Sequence, residues 1–253
     1  MSSIWCIIPA RGGSKALPRK NIALLGGEPL ISYTIRAARG AKHVDRVIVS
    51  TDDDEIAVVA RNCGAEVPFL RPAELAQDHS PTLPAIQHAV DAMERLCAEK
   101  PDLVALVQPT SPFTRADQVD AAVELLEKRP DADAVTTVVE VDHVNHPFNI
   151  RRIDSAGFVD FMMPEEHYQY PNRQSKPRFY RFGNLYVTRY ATLMKDGSLF
   201  GRRCLPLIVD LQSCFDINDA ADLALAECML LAGVVTVADS TAVRAGRIHG
   251  ADC

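Results

Sequence analysis

Ile4-Trp5-Cys6-Ile7-Ile8-Pro9-Ala10-Arg11-Gly12-Gly13-Ser14-Lys15-Ala16-Leu17-Pro18-Arg19-Lys20-Asn21 runs from an apolar segment straight into a glycine-bearing, basic turn. Ile4 to Ile8 is short, mostly β-branched and apolar throughout, which predicts a strand buried on both faces, and Pro9 ends it because it cannot extend a ladder. Gly12 and Gly13 are free to take positive φ and carry no Cβ, so backbone N–H groups can close around an anion. Arg11, Lys15, Arg19 and Lys20 place four cations within ten residues. A loop at the carboxyl end of a first parallel strand is where open α/β sheets bind ligands, and a triphosphate suits this one. Neither the Walker pattern nor the dinucleotide fingerprint can be laid over Arg11 to Lys20.

Working outward, strands and helices alternate. Pro29 to Ala38 repeats apolar residues at helical spacing behind a proline and predicts the first crossover helix. Arg46 to Thr51 is a short strand, with Asp52 as N-cap for a helix over 53–62 and Gly64 as its stop. Capping accounts for the acidic run Asp52-Asp53-Asp54-Glu55, although such a run also invites a metal reading. Val67 to Leu70 reads as a third strand, and Ser80 with Pro81 as N-cap and first residue of an amphipathic helix over 81–100. A strand within 102–108 then delivers Gln108-Pro109-Thr110-Ser111-Pro112 at its carboxyl end. Thr114 caps a helix to Lys128 or Arg129, and Ala134 to Val141 is another strand. This alternation argues for a parallel sheet with right-handed crossovers.

From Asp142 to Arg178 the texture changes to aromatics, polar residues and prolines without helical period, which marks an insert. His143 and His146 lie three apart within it, without the helical context that would make them a metal pair. Leu205 to Val209 is one more strand, and a last helix follows Cys214-Phe215-Asp216-Ile217-Asn218 and stops at Gly233.

The chain has 253 residues, 47% hydrophobic and 24% charged, which is the composition of a soluble globular protein. Its net charge of −6 provides no general basic surface for nucleic acid or anionic membrane, so the basic first loop points to a small anionic ligand. Its seven cysteines are odd in number, irregularly spaced and without Cys-x-x-Cys, which indicates neither a disulfide framework nor a zinc site and fits the cytoplasm. There is no export signal at the N-terminus, and no stretch approaches the ~18 continuous apolar residues of a membrane span.

Ile8-Pro9-Ala10-Arg11-x-x-Ser14-Lys15-x-Leu17-Pro18-x-Lys20-Asn21 resembles the N-terminal signature of the CMP-sialic acid synthetase (acylneuraminate cytidylyltransferase) family, which activates sialic acid and related nonulosonic acids with CTP. Val107-Gln108-Pro109-Thr110-Ser111-Pro112 resembles its second signature, with valine for leucine, about ninety residues further on. The resemblance covers roughly residues 4 to 231 and implies a three-layer, Rossmann-like α/β fold, its mostly parallel sheet flanked by helices. It implies a nucleotidyltransferase domain over 1–233, interrupted by a dimerisation insert at 142–178, hence a homodimer. Residues 234–253 are left as a weakly patterned surface tail.

The same resemblance implies roles. Arg11, Lys15 and Lys20 would hold the phosphates of CTP, with Ala10, Gly12, Gly13, Ser14 and Asn21 completing the nucleotide loop. Arg71 and Thr82 would hold the cytosine ring, Pro109, Thr110 and Ser111 would shape the nucleotide pocket, and Gln108 would contact the incoming sugar. Arg173 and Arg181 would grip the sugar carboxylate, for which a planar guanidinium is suited. The family's Asp-x-Asp turn holds Mg²⁺; here Asp216 matches its first position and Asn218 replaces its second, an uncharged oxygen donor that is equally suited to cap the last helix. Phe182-Gly183-Asn184-Leu185-Tyr186 departs from the family's order at the sugar side. Two alternatives remain open: a cytidylyltransferase for an eight-carbon acidic sugar, disfavoured by the Gln108 to Pro112 and Arg173-Gln174 segments, and a noncatalytic nucleotide- or sugar-binding relative, suggested by Asn218 and the altered Gly183-Asn184 order.

Overall fold

The computed structural model describes residues 2–235. Along the chain come β1 (Ile4–Pro9), a small hairpin of β2 (Leu24–Leu25) and β3 (Glu28–Pro29), α1 (Leu30–Gly40), β4 (Arg46–Ser50), α2 (Asp54–Asn62), α3 (Thr82–Cys97) and β5 (Leu103–Val107). Then follow α4 (Ala116–Glu127), β6 (Ala134–Glu140), β7 (Arg151–Ile153), β8 (Val159–Phe161), α5 (Pro164–Gln169), β9 (Tyr180–Arg189), α6 (Tyr190–Met194), β10 (Cys204–Ile208) and α7 (Ala220–Leu231).

Six strands form one sheet in the order β10-β6-β9-β5-β1-β4. All run parallel except β9, which is inserted antiparallel between β5 and β6. The two-residue period of β1 sends its side chains to both faces. Ile4, Cys6 and Ile8 meet Ile31 and Ile35 of α1, Ile56 of α2 and Val119 and Val123 of α4 on one side. Trp5 and Ile7 meet Ile86, Val90 and Met93 of α3 and Leu193 of α6 on the other. The result is three layers, and each fully buried aliphatic side chain contributes about 1.5–3 kcal/mol relative to exposure. The carboxyl ends of β1, β4, β5, β6 and β10 share one edge, where β9 enters through Tyr180 to Phe182.

Several local expectations are corrected. Val67 to Leu70 is not a strand: only Glu66 bridges Ile48, because Pro68 offers no donor and Leu70 is exposed. The N-cap of α2 is Asp53, whose carboxylate accepts from the Ile56 N–H at 2.9 Å, whereas Asp52 accepts from the Gly12 N–H at 3.0 Å. Pro81 takes the N-cap position of α3 and Thr82 the first helical one, while the Ser80 hydroxyl turns back to the Glu74 carbonyl at 2.9 Å. Arg115, not Thr114, is the N-cap of α4, and Asp219, not Asn218, is that of α7, its carboxylate accepting from the Ala221 and Asp222 N–H groups. The β2–β3 turn places Gly26 and Gly27 at φ 57° and 82°, the conformation a two-residue hairpin demands.

Residues 142–178 hold a lobe that contains the β7–β8 hairpin and α5, the latter a helix that its sequence texture does not announce. His146 is buried inside it; its Nδ1 accepts from the Phe148 N–H at 3.2 Å and its Nε2 lies 3.0 Å from the Pro177 carbonyl, so both ring nitrogens are engaged in packing the lobe. Of the expected tail, Val234 and Val235 are described and 236–253 lie outside the described residues.

Candidate active site

The first loop leaves β1 along β4. The Ala10 N–H donates to the Ser50 carbonyl at 2.9 Å, extending the ladder by one bond before the chain turns. Neither Gly12 nor Gly13 adopts positive φ; Gly12 is required because a Cβ there would stand 2.6 Å from an Asp53 carboxylate oxygen. The left-handed residue of the loop is Arg19, at φ 57°. Buried Asn21 closes the loop by donating from Nδ2 to the Arg11 carbonyl at 2.9 Å.

Three of the four loop cations are held by carboxylates. Arg11 Nη1 lies 2.8 Å from one oxygen of Asp78 and Lys15 Nζ 2.5 Å from the other. Arg19 pairs with Asp53 and Glu55 at the start of α2. Lys20 has no ion pair among the described residues. Burial pushes its ammonium below the usual lysine range; Asp216 opposes that shift and Arg11 adds to it. Ser14 is half-buried and Gly13 exposed.

Arg71 is only 6% exposed. Its Nε donates to the Ser50 hydroxyl at 3.1 Å and its Nη2 to the Ser50 carbonyl, so the guanidinium is fixed at the end of β4 by neutral acceptors. Burial draws its pKa down, with Asp52 opposing. Thr82 is exposed at the first turn of α3, on the far side of the same loop.

At the end of β5 the Gln108 N–H donates to the Asn184 carbonyl of β9 at 3.2 Å, which sets the turn that buries Pro109 and Ser111. The Thr110 hydroxyl donates to Asp216, and the Ile217 N–H donates to the Thr110 carbonyl at 2.9 Å. The Ser111 hydroxyl is buried with no partner among the described residues. Asp216 is half-buried, whereas Asn218 is exposed and its N–H donates to Asp222 at 2.8 Å. Gln108, Thr110, Asp216, Lys20, Arg11 and Arg71 therefore share the carboxyl edge.

The sugar-side candidates are less closely joined. Arg181 is exposed on β9 opposite Val139, and Arg173 is exposed in a short turn of the lobe at 173–175. Sequence reasoning missed Asp78, an isolated acid in a loop that carries no pattern, and the Asp53 grip on Arg19. It flagged Asn184 only as a departure in order. In the fold Asn184 is a buried hub whose Nδ2 donates to the Thr114 hydroxyl and to the Ser213 carbonyl at 2.9 Å, and whose N–H donates to the Thr137 hydroxyl at 3.1 Å.

An open, largely parallel sheet with a cationic glycine-bearing loop and a carboxylate at its carboxyl edge is built to bind an anionic ligand there, and the family match makes it a nucleotidyltransferase. The chain belongs to the cytidylyltransferase family, whose profile, described as "Cytidylyltransferase", matches residues 5–197. It is 34% identical over 226 residues to the N-acylneuraminate cytidylyltransferase of Escherichia coli, covering 89% of this chain and 51% of that protein, so it spans about half of that relative's length. It is 33% identical to the CMP-N,N'-diacetyllegionaminic acid synthase of Legionella pneumophila, over 90% of this chain and 96% of that one. A solved structure of CMP:2-keto-3-deoxy-manno-octonic acid synthetase complexed with CTP superposes with a TM-score of 0.69 over 92% of this chain and 100% of that one, at 17% identity, a likeness of fold.

Proposed function

We propose that this protein transfers the cytidylyl group of CTP to the anomeric hydroxyl of a nonulosonic acid, releasing pyrophosphate. The observation that carries the reading is that Thr110 of the second signature donates to Asp216 at the same carboxyl edge as Lys20, the one loop cation without an ion pair among the described residues. A relative of nearly full coverage named as a CMP-N,N'-diacetyllegionaminic acid synthase supports the nonulosonic branch over the eight-carbon one, whose resemblance is of fold alone.

In this reading Arg11, Lys15 and Lys20, with Ser14 and the amides of Gly13 and Ser14, hold the triphosphate, while the Ala10 and Gly12 amides fix the loop to Ser50 and Asp52. Arg71, Thr82 and Asn21 seat the nucleoside, and Pro109 to Ser111 form its wall. Gln108 and Arg181 face the sugar from β5 and β9, and Arg173 approaches from the lobe. The anomeric oxygen forms a bond to the α-phosphorus as the α–β bridging bond breaks, its electron pair leaving with pyrophosphate and the hydroxyl proton passing to solvent. The task of the chain is in-line positioning and neutralisation of charge.

The donors suit a hard cation: one Asp216 oxygen takes the Thr110 hydroxyl and the other accepts no hydrogen bond among the described residues, with the Asn218 amide oxygen two residues away. Such a thin set of protein ligands is typical of Mg²⁺, which keeps waters and substrate phosphates in its shell, and Mg²⁺ when bound would neutralise phosphate charge.

The lobe exposes Ile153, Phe158, Val159, Met162 and Tyr168, each at least 60% accessible, and a second copy of this chain is the occupant proposed for that surface. Free thiols at all six described cysteines fit a reducing cytoplasm. The deciding experiment is pyrophosphate release from CTP and Mg²⁺ with sialic, legionaminic, pseudaminic and eight-carbon acids, with Asp216→Ala as control. Turnover with one nine-carbon acid, lost in the variant, supports the reading; CTP binding without turnover overturns it in favour of a noncatalytic relative.

A further inference from the structure

The amino end of α2 grips the first loop at both of its ends. At the start, Asp52 accepts from the Gly12 N–H at 3.0 Å, and Gly12 lies so close that a Cβ would be 2.6 to 2.9 Å from the Asp53 side chain. At the finish, the Arg19 guanidinium straddles Asp53 and Glu55, one bond measuring 3.1 Å to Asp53 Oδ1. Between these points the only carboxylate contact among the described residues is that of the 87% accessible Lys15 with Asp78. The loop is thus anchored to α2 at its ends and held in its middle by one screened pair, where an anion would enter.

The finishing anchor coincides with an unfavourable backbone. Arg19 stands at φ 57° and ψ 29°, a left-handed conformation that a side chain with a Cβ disfavours. Immediately after it a tight turn forms, with the Ile22 N–H donating to the Arg19 carbonyl at 3.0 Å. That turn sets the direction of Lys20 and Asn21. Exposed ion pairs add little to global stability, and Arg19 and Glu55 are 40% and 67% accessible. What such a pair can do is select one local conformation of an otherwise loosely held loop. Burial by itself would raise the Asp53 carboxyl, but Arg19 and the Ile56 N–H outweigh it and hold it below its ordinary range.

We propose that Arg19 and Asp53 form a positioning pair that fixes the left-handed turn aiming Lys20 at the bound triphosphate. The proposal deepens the cytidylyltransferase reading and rests on it for the identity of the ligand. Arg19 is not itself a phosphate ligand, because its guanidinium is turned to α2.

Two variants isolate the pair. Arg19→Ala removes the guanidinium while keeping the Cβ that disfavours φ 57°, and Asp53→Asn keeps an oxygen for the Ile56 N–H while removing the charge that Arg19 reads. Each is expected to weaken binding of inorganic triphosphate and to lower kcat/KM for CTP by about tenfold, at unchanged melting temperature. The double variant is expected to be no worse than either single one, since both remove the same interaction. Arg19→Lys, a cation without the planar fork, should recover only part of the loss. Wild-type triphosphate binding in Arg19→Ala, or losses that multiply in the double variant, would overturn the pairing; because Arg19→Ala leaves the cap of α2 intact, it decides even where Asp53→Asn lowers stability. Triphosphate binding by the wild type without turnover of any sugar would sink the cytidylyltransferase reading while leaving the loop test standing.

Discussion

The Thr110 hydroxyl donates a hydrogen bond to the carboxylate of Asp216, a residue 106 positions further along the chain. This contact joins the turn after β5 to the turn before α7, and the Ile217 N–H bond to the Thr110 carbonyl at 2.9 Å makes the junction two-pronged. Thr110 therefore determines which Asp216 oxygen remains open. Thr110→Val keeps the shape and removes the donor. It is expected to lower kcat/KM about tenfold and to raise the Mg²⁺ concentration for half-maximal rate, as loss of a hydrogen bond to a metal-ligating carboxylate does. Thr110→Ser should retain most activity, and equal rates in the valine variant at every Mg²⁺ concentration would count against the role.

Asn218 is exposed beside Asp216 and supplies an oxygen without charge. Asn218→Asp adds a second carboxylate where the family carries one and should lower the half-saturating Mg²⁺ concentration by about tenfold, since ligand charge sets hard-cation affinity. Titration of pyrophosphate release against Mg²⁺ reads this directly. An unchanged midpoint would place the cation away from this turn.

Asp78 holds Arg11 and Lys15 through its two oxygens, occupying cations that a triphosphate also requires. Lys15 is 87% accessible, so the pairs are screened and readily exchanged for a stronger anion. Asp78→Asn should therefore tighten CTP binding about threefold at low salt, with the gain disappearing toward 1 M salt. Weaker CTP binding by the variant in calorimetry would mean that Asp78 orients the cations instead of competing for them.

How much of this was legible in the sequence follows from what each feature depends on. β1 declared itself because a run apolar on both faces has few other fates, and the two loops at strand ends followed from the α/β rhythm. Parallel order was readable for the same reason; the antiparallel entry of β9 was not, because strand direction is a long-range choice that Tyr180 to Arg189 do not encode locally. Helix starts erred by one residue at Asp52, Pro81 and Thr114, where neighbouring polar residues compete for the cap and tertiary partners decide: Asp52 is drawn to Gly12 and Thr114 to Asn184. The loop cations were visible, whereas the acids that neutralise them were not, since Asp53 and Asp78 lie far away in sequence and meet the loop only through the fold.

Gly183 is needed for a close approach. A Cβ there would stand 2.3 Å from the Thr137 hydroxyl and 2.8 Å from the Cys214 sulfur, beside the buried Asn184 network. Gly183→Ala is expected to destabilise the fold by about 1–3 kcal/mol through overpacking. Gly13→Ala meets nothing within 4 Å and should leave stability unchanged. Denaturant melts of the two variants side by side check the contrast, and equal stability of both would contradict the packing of β9 on β6.

Asp210 ties the end of β10 to the start of α4, with Arg115 Nη1 at 2.8 Å and the Ser213 N–H donating to it at 2.8 Å. Burial would raise its carboxyl, but the Arg115 hydrogen bond and the Ser213 N–H outweigh it and bring the pKa from 3.8 to about 2. An acid whose pKa is lower in the folded chain stabilises the fold above its unfolded pKa, and that contribution is lost as pH falls through the folded value. Asp210→Asn keeps an acceptor for the Ser213 N–H and removes the charge. The variant should melt below the wild type at pH 7, by a modest margin because the ion pair is more than 40% accessible on both sides. The margin should hold down to about pH 4 and close between about pH 4 and pH 2, where the wild-type carboxylate takes up its proton. Thermal melts of both proteins across that window check it; a margin that stays constant to pH 2 would assign the effect to lost shape and not to the charge of Asp210.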